Sequence, residues 1–110
     1  MPRPHKCRLI HIKPPSQAFK PIGIPASSLE SVELKLDELE AIVLTDLEGL
    51  YHEEAAERMN VSRATFSRVI QKARKKIAEV LIKGKILIIK GGNVTMYSEG
   101  VTNDKNDLST

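Results

Sequence analysis

The sequence has one cysteine, no tryptophan and few aromatic residues, and each shortage limits what the protein can be. Cys7 alone cannot form an internal disulfide, which fits a reducing compartment. Aromatic residues make up 4% of the 110 residues, so we expect one domain with a modest aliphatic core. No apolar run approaches the roughly 18 residues of a membrane span, and the start lacks the apolar stretch of a secretory signal. We therefore expect a cytoplasmic protein that does not contact a membrane.

The sequence patterns of an enzyme are also missing. No nucleophile is paired with a base, and "KGG" at residues 90–92 is too short to indicate a phosphate-binding loop. The acids of the middle segment lie in amphipathic helical patterns, where we interpret them as solvent-facing charges: Asp37, Glu38, Glu40, Asp46, Glu48, Glu53 and Glu54. We predict that the protein is not an enzyme and holds no cofactor.

A metal site near the N-terminus is a weaker alternative. His5, Cys7 and His11 would lie on one side of an extended strand and could converge on an ion. A structural zinc site needs four ligands, however, and the sequence offers no second cluster. We predict no metal, and an ordinary buried thiol for Cys7.

Charge is sharply sorted along the chain. Residues 60–76, "NVSRATFSRVIQKARKK", contain six cations and no carboxylate, whereas residues 30–57 contain ten acids and one base, Lys35. Five more cations precede Glu30, so two basic regions flank an acidic middle, although the net charge is only +3. A basic region is the electrostatic signature of a nucleic-acid-binding protein, but a solvated helix face looks the same.

Three parts can be distinguished along the sequence. Residues 1–36 form a basic, proline-rich arm with a possible short strand, and its first residues, "MPRPHK", are either a flexible arm that tracks DNA or a solvated terminus. Residues 37–92 form the main domain, and residues 93–110 a polar tail that we predict to be disordered. Short strands are predicted at "CRLIHI" and "KILIIK", with "SVELKL" between them either a strand or merely extended chain. The strand "KILIIK" could pair with "CRLIHI", or with its own copy in another subunit as a self-association edge.

The first predicted helix begins with Asp37 as its cap and with Glu40 in the capping-box position. Gly49 is the predicted end, since glycine tolerates the left-handed conformation that terminates helices. The apolar residues that recur at helical intervals between them are Leu39, Ile42, Val43 and Leu47.

Two further helices, Tyr51 to Met59 and Arg63 to about Ile82, are separated by a short turn. Asn60 suits the turn because it tolerates positive φ, and Ser62 offers a capping hydroxyl. The apolar contacts between the two helices are predicted to come from Ala56, Met59, Val61, Phe66 and Val69. This is the outline of a helix-turn-helix.

At about 100° per residue, the second of these helices has a polar side opposite its apolar stripe. Its N-terminal part would enter a major groove, as in other helix-turn-helix proteins. The predicted DNA-binding residues are Ser62, Arg63, Ala64, Thr65, Ser67, Arg68, Gln71, Lys72, Lys75 and Lys76. We expect Arg63, Thr65, Ser67 and Arg68 near bases or adjoining phosphates, Gln71 within reach of a base, and the lysines at the backbone.

Several segments resemble a family of small, uncharacterised prokaryotic proteins, of the UPF or DUF type, that open with "MPRP" and are predicted to bind DNA. The similar segments are "MPRPHKCR", "FKPIGIP", the block from "LDELEAIVL" to "QKARKKIA", and "GKILIIKGG". The middle block also looks like region four of bacterial sigma factors, the helix-turn-helix that reads promoter DNA. The resemblance implies DNA binding by that helix pair. A sigma factor needs further regions to open promoters, so a regulator or accessory binder is the better expectation.

We therefore expect a mainly α fold: a three-helix helix-turn-helix core, sigma region-four-like and related to winged helices, with short terminal β-strands. The predicted function is sequence-specific binding of double-stranded DNA in transcriptional regulation, with a homodimer and the transcription machinery as candidate partners. Two alternatives stay open. The domain could bind polymerase or another regulator as a protein-interaction module, or it could bind RNA.

Overall fold

The computed structural model describes residues 8–11, 17–91 and 94–96. Over these ranges the chain is mainly helical, with a small three-stranded sheet, which confirms the predicted fold class at that level. The helices are α1 (Leu36–Ile42), α2 (His52–Met59) and α3 (Arg63–Lys83). The strands are β1 (Arg8–Ile10), β2 (Ala18–Phe19), β3 (Ser31–Leu34), β4 (Ile86–Ile89) and β5 (Val94–Met96). None of the helices in the described ranges is long and apolar enough to cross a membrane.

Helix α1 begins two residues earlier than its sequence pattern predicted. The cap is Lys35, whose backbone N–H donates to the Glu38 carboxylate at 2.9 Å. Asp37 lies inside the first turn, and there its carboxylate accepts the backbone N–H of Glu38 at 2.9 Å. The predicted capping box of Asp37 and Glu40 is therefore wrong, and the first-turn carboxylate that reaches back to the cap is Glu38.

The helical path of α1 continues through a wider π-helical turn, Val43–Leu47. The Glu48 N–H closes this turn on the Val43 carbonyl at 2.8 Å, and Gly49 follows with φ +79°. The predicted end at Gly49 is confirmed. The predicted apolar side is partly wrong, because Leu47 is 77% exposed while Ala41 and Leu44 are fully buried.

The turn between α2 and α3 has the geometry that its residues predicted. Asn60 ends α2 in the left-handed conformation, with φ +60°. Ser62 caps α3, since its Oγ accepts the Thr65 N–H at 3.0 Å. Helix α3 then runs for 21 residues to Gly84, which is left-handed with φ +67°. These boundaries lie within one residue of the predicted ones.

The main core lies where α1, α2 and α3 meet. Its buried residues are Ala41, Leu44, Ala55, Ala56, Met59, Phe66, Val69 and Ile70, with Val61 packed against them. A second cluster joins α3 to the sheet through Leu34, Ala73, Leu87 and Ile89. The predicted contacts between α2 and α3 are confirmed, and both clusters fix the orientation of α3.

The three-stranded sheet joins an N-terminal and a C-terminal part of the described residues. Its strand order is β2-β4-β3, with β4 antiparallel to β2 and parallel to β3. Because β4 is the central strand, "KILIIK" neither pairs with "CRLIHI" nor offers a free edge for self-association, and both predictions are wrong. Instead β1 pairs in parallel with β5. Strand β5 lies in the segment expected to be a disordered tail, and the rest of that tail lies outside the described residues.

Candidate nucleic-acid interface

Helix α3 has one buried side and one exposed, basic side. The buried residues Phe66, Val69, Ile70 and Ala73 contact the two core clusters. Opposite them lie the exposed side chains of Ala64, Arg68, Gln71, Lys72 and Lys75. The division follows from the helical period, since residues seven apart return to nearly the same side. The sequence prediction of which side of α3 faces outward is confirmed.

The predicted interface residues do not all lie together. Five of them line one open groove of about 670 Å³: Thr65, Arg68, Gln71, Lys72 and Lys75. Arg63 lies on a different side, in a shallow depression that it shares with Arg74 and the start of α2. The structure therefore separates a groove-lining set from Arg63.

The opposite wall of this groove comes from the N-terminal part of the chain. Arg8 of β1 and Lys35, the cap of α1, face the α3 residues across it. The same groove also receives two carboxylates, Asp37 and Glu38. Five cations therefore surround two anions, and we call this surface the basic groove.

Both carboxylates in the basic groove are paired with cations. Asp37, whose side chain is 6% exposed, lies 3.1 Å from Nη1 of Arg8. Glu38 accepts a hydrogen bond from Nζ of Lys76 at 2.7 Å, as well as the backbone bond from Lys35. Pairing offsets the negative charge of these carboxylates within the groove. It also ties Lys76, a predicted phosphate contact, to α1.

Two more polar residues of α3 have partners within the protein: Ser67, a predicted DNA-binding residue, and Arg74. The Ser67 hydroxyl is hydrogen-bonded to Nδ1 of His52 at 3.1 Å, and the His52 ring packs edge-on against Phe66 with centroids 5.2 Å apart. Arg74 donates to Asp46 through Nε at 3.2 Å and Nη2 at 2.6 Å, and these hydrogen bonds raise the pKa of Arg74. Both contacts brace α3 against the preceding helical segments.

Three carboxylates of α1 are buried, which the sequence interpretation missed. Asp37, Glu38 and Glu40 were interpreted as solvent-facing charges, and for these three that interpretation is wrong. Glu40 accepts the backbone N–H of His11 at 2.9 Å and lies 3.1 Å from its ring Nδ1. Asp37 and Glu40 share one helical side with the buried Ala41 and Leu44, so the helical period placed these two carboxylates toward the core, although it did not identify their partners. Asp37 and Glu40 therefore anchor β1 and the residue after it on α1, whereas Glu38 joins α1 to α3 through Lys76.

The N-terminal metal hypothesis falls mostly outside the described residues, where His5 and Cys7 lie. His11 is described, and its ring contacts Glu40. In residues 8–11, 17–91 and 94–96, no group of three histidine, cysteine or acidic residues could hold a metal ion.

A family model described as "Protein of unknown function DUF134" matches residues 1–97. The chain belongs to this family. A UPF0251 protein of Thermoanaerobacter pseudethanolicus is 52% identical over 99 residues, covering 90% of this chain and 84% of the relative. A UPF0251 protein of Caldanaerobacter subterraneus is 54% identical over 99 residues, with the same coverage of both chains. The resemblance to an uncharacterised prokaryotic family is thus confirmed.

The matched range of the DUF134 model includes every residue of the basic groove and the whole of α3. A third UPF0251 protein, from Pelotomaculum thermopropionicum, is 55% identical over 93 residues, which is 84% of this chain and 70% of the relative. No solved structure matches the chain. The function is therefore inferred from the geometry of α3 and of the basic groove.

Proposed function

We propose that α2, the turn at 60–62 and α3 form a helix-turn-helix that binds double-stranded DNA sequence-specifically in transcriptional control. The observation that carries the proposal is the exposed side of α3, where Arg68, Gln71, Lys72 and Lys75 project from a helix held by two core clusters. A rigid helix with one polar, cationic side matches the dimensions and the chemistry of the major groove.

The side chains on this side divide between two tasks. Arg68 and Gln71 are three residues apart and near the middle of the exposed side, and they have the donors that read guanine and adenine edges. Lys72 and Lys75 carry mobile ammonium groups that suit phosphates rather than bases. The hydroxyl of Thr65, in the first turn, accepts a hydrogen bond from the Ser62 hydroxyl at 3.0 Å, and its own O–H can donate to a phosphate or a base edge.

The start of α3 adds a second kind of contact. The first N–H groups of a helix have no partner within it and attract phosphate, aided by the helix dipole. Ser62 satisfies the Thr65 N–H, which leaves those of Arg63 and Ala64 for a neighbouring phosphate. The exposed methyl group of Ala64 is small enough to let the backbone approach the duplex.

The wider proposal follows the resemblance to sigma region four. A helix of this kind reads only a few base pairs, so a homodimer on two half-sites would multiply specificity. The transcription machinery is the natural partner of such a regulator. Because prokaryotic DNA lies in the cytoplasm, the proposal also implies that compartment.

Arg68→Ala is expected to weaken binding to the preferred sequence by about 1–3 kcal/mol and to relax the preference at one base pair. The matched variant Lys75→Ala should weaken binding to all sequences similarly and flatten the salt dependence. Both residues are exposed on the same helix, so neither change should lower the melting temperature much. Fluorescence anisotropy with preferred and scrambled duplexes measures both effects. Two variants that bind as tightly as the parent would show that this side of α3 does not contact DNA.

Selection of bound sequences from a random duplex library tests the proposal most broadly. An enriched motif would support sequence-specific DNA binding, and a two-fold symmetric motif would indicate two copies on one site. A library with no enriched motif, combined with tight binding of single-stranded or duplex RNA, would favour the RNA alternative. Binding to a protein partner through an apolar surface would be distinguished by its weak dependence on salt.

A further inference from the structure

We propose that the N-terminal wall of the basic groove, Lys35 with Arg8, binds the phosphate backbone of the same duplex whose bases α3 reads. This inference rests on the proposed function and deepens it. Neither residue belongs to the helix-turn-helix, and the sequence interpretation assigned no contact to either.

Residues of α3 and residues of the N-terminal part of the chain line the same groove, so both sets can contact one ligand. Arg68, Lys72 and Lys75 line it from α3, while Arg8 and Lys35 line it from β1 and the start of α1. A helix lying in a major groove has a phosphate strand along each flank. Because Arg68 and Gln71 line the same groove as Arg8 and Lys35, the phosphate strand next to the bases that α3 reads would pass close to Arg8 and Lys35.

Charge favours a polyanion in this groove. Of the two carboxylates that line it, Asp37 is paired with Arg8 and Glu38 with Lys76, so both are already compensated by cations. Lys35 is exposed, and its side chain adds a positive charge to the groove. A run of cations along an open groove suits a continuous phosphodiester chain better than a single small anion.

The two wall residues are also held in place by the fold. Arg8 is 27% exposed and is oriented by the buried Asp37 carboxylate. Lys35 is the cap of α1, with its backbone N–H fixed on Glu38 at 2.9 Å. Its side chain therefore starts from a rigid backbone position. Binding a phosphate then costs side-chain entropy only, whereas a lysine on a mobile segment would also lose backbone entropy.

Lys35→Gln tests this inference, with Lys83→Gln as the matched control. Both lysines are exposed and both changes remove one charge, but Lys83 lies in the last turn of α3, outside the residues that line the groove. The dissociation constant of each variant is measured by anisotropy against salt concentration, on a preferred and a scrambled duplex. We expect Lys35→Gln to raise the dissociation constants for both duplexes several-fold at low salt. Its slope of log affinity against log salt should fall by about 0.9, the share of one phosphate contact.

The control should keep the parental slope. If Lys35→Gln and Lys83→Gln behave alike while the parent binds with a steep salt dependence, the N-terminal wall does not bind DNA, and α3 alone accounts for binding. If the parent binds neither duplex at low salt, the proposed function itself fails and this inference with it. A Lys35→Glu variant should bind more weakly than Lys35→Gln, and equal binding by the two would also contradict a phosphate beside this residue.

Discussion

Phe66→Ala should lower the free energy of unfolding by roughly 3–5 kcal/mol, the usual cost of truncating a fully buried phenylalanine. Phe66 has no exposed surface and lies in the core formed by α1, α2 and α3. Its ring also packs edge-on against His52, so the change removes an aromatic contact as well as buried area. Urea denaturation followed by circular dichroism measures the loss.

The matched control is Ile82→Ala in the last turn of the same helix. Ile82 is 83% exposed, so its truncation should change the free energy of unfolding by about 0.5 kcal/mol or less. A Phe66→Ala protein that unfolds at the parental urea concentration would show that this side of α3 does not face the core. The orientation of Arg68 and Gln71 would then be wrong as well.

Arg8→Ala should destabilise the protein by about 3 kcal/mol, because it leaves a buried carboxylate without its partner. Asp37 lies 3.1 Å from Arg8 and its side chain is 6% exposed, so water reaches it poorly. This cost is at the lower end for a broken buried pair, since Arg8 itself is partly exposed. The measurement is again the urea concentration at the unfolding midpoint. It is compared between proteins whose free energy of unfolding falls with urea at the same slope.

Two controls show whether the cost of Arg8→Ala comes from the buried, unpaired Asp37 carboxylate or merely from the loss of an arginine. Arg58→Ala removes an arginine whose contact with Glu48 is 3.9 Å long and open to solvent, and it should cost about 0–1 kcal/mol. Adding Asp37→Asn to Arg8→Ala should recover part of the loss, because no unpaired charge then remains. Equal effects of Arg8→Ala and Arg58→Ala would contradict the anchoring of β1 by a buried ion pair.

The turn and α3 were predictable because their signals are local. Asn60, Ser62 and Gly84 each suit one backbone conformation or one capping bond within a few residues, and neighbouring residues alone decide the outcome. The exposed side of α3 followed from the same local periodicity. Most of the candidate interface on α3 could therefore be derived before any tertiary contact was known.

The errors concern contacts between distant parts of the chain. Carboxylates at 37, 38 and 40 are buried only because Arg8, Lys76 and His11 reach them from elsewhere, and no local pattern specifies those partners. For the same reason the sequence did not show that Arg8 and Lys35 face α3 across a groove. Strand β4 was misjudged as an edge, although its unbroken apolar run, Ile86–Ile89, is typical of a strand buried on both faces.

The most direct test of DNA binding by α3 is the affinity of the parent protein for a mixed-sequence duplex at about 50 and 200 mM salt. With phosphate contacts from Arg8, Lys35, Lys72 and Lys75, affinity should fall on the order of a hundredfold over this range, since each contact contributes about 0.9 to the logarithmic slope. No binding at the lower concentration, or binding of equal strength at both, would contradict a nucleic-acid interface on the exposed side of α3.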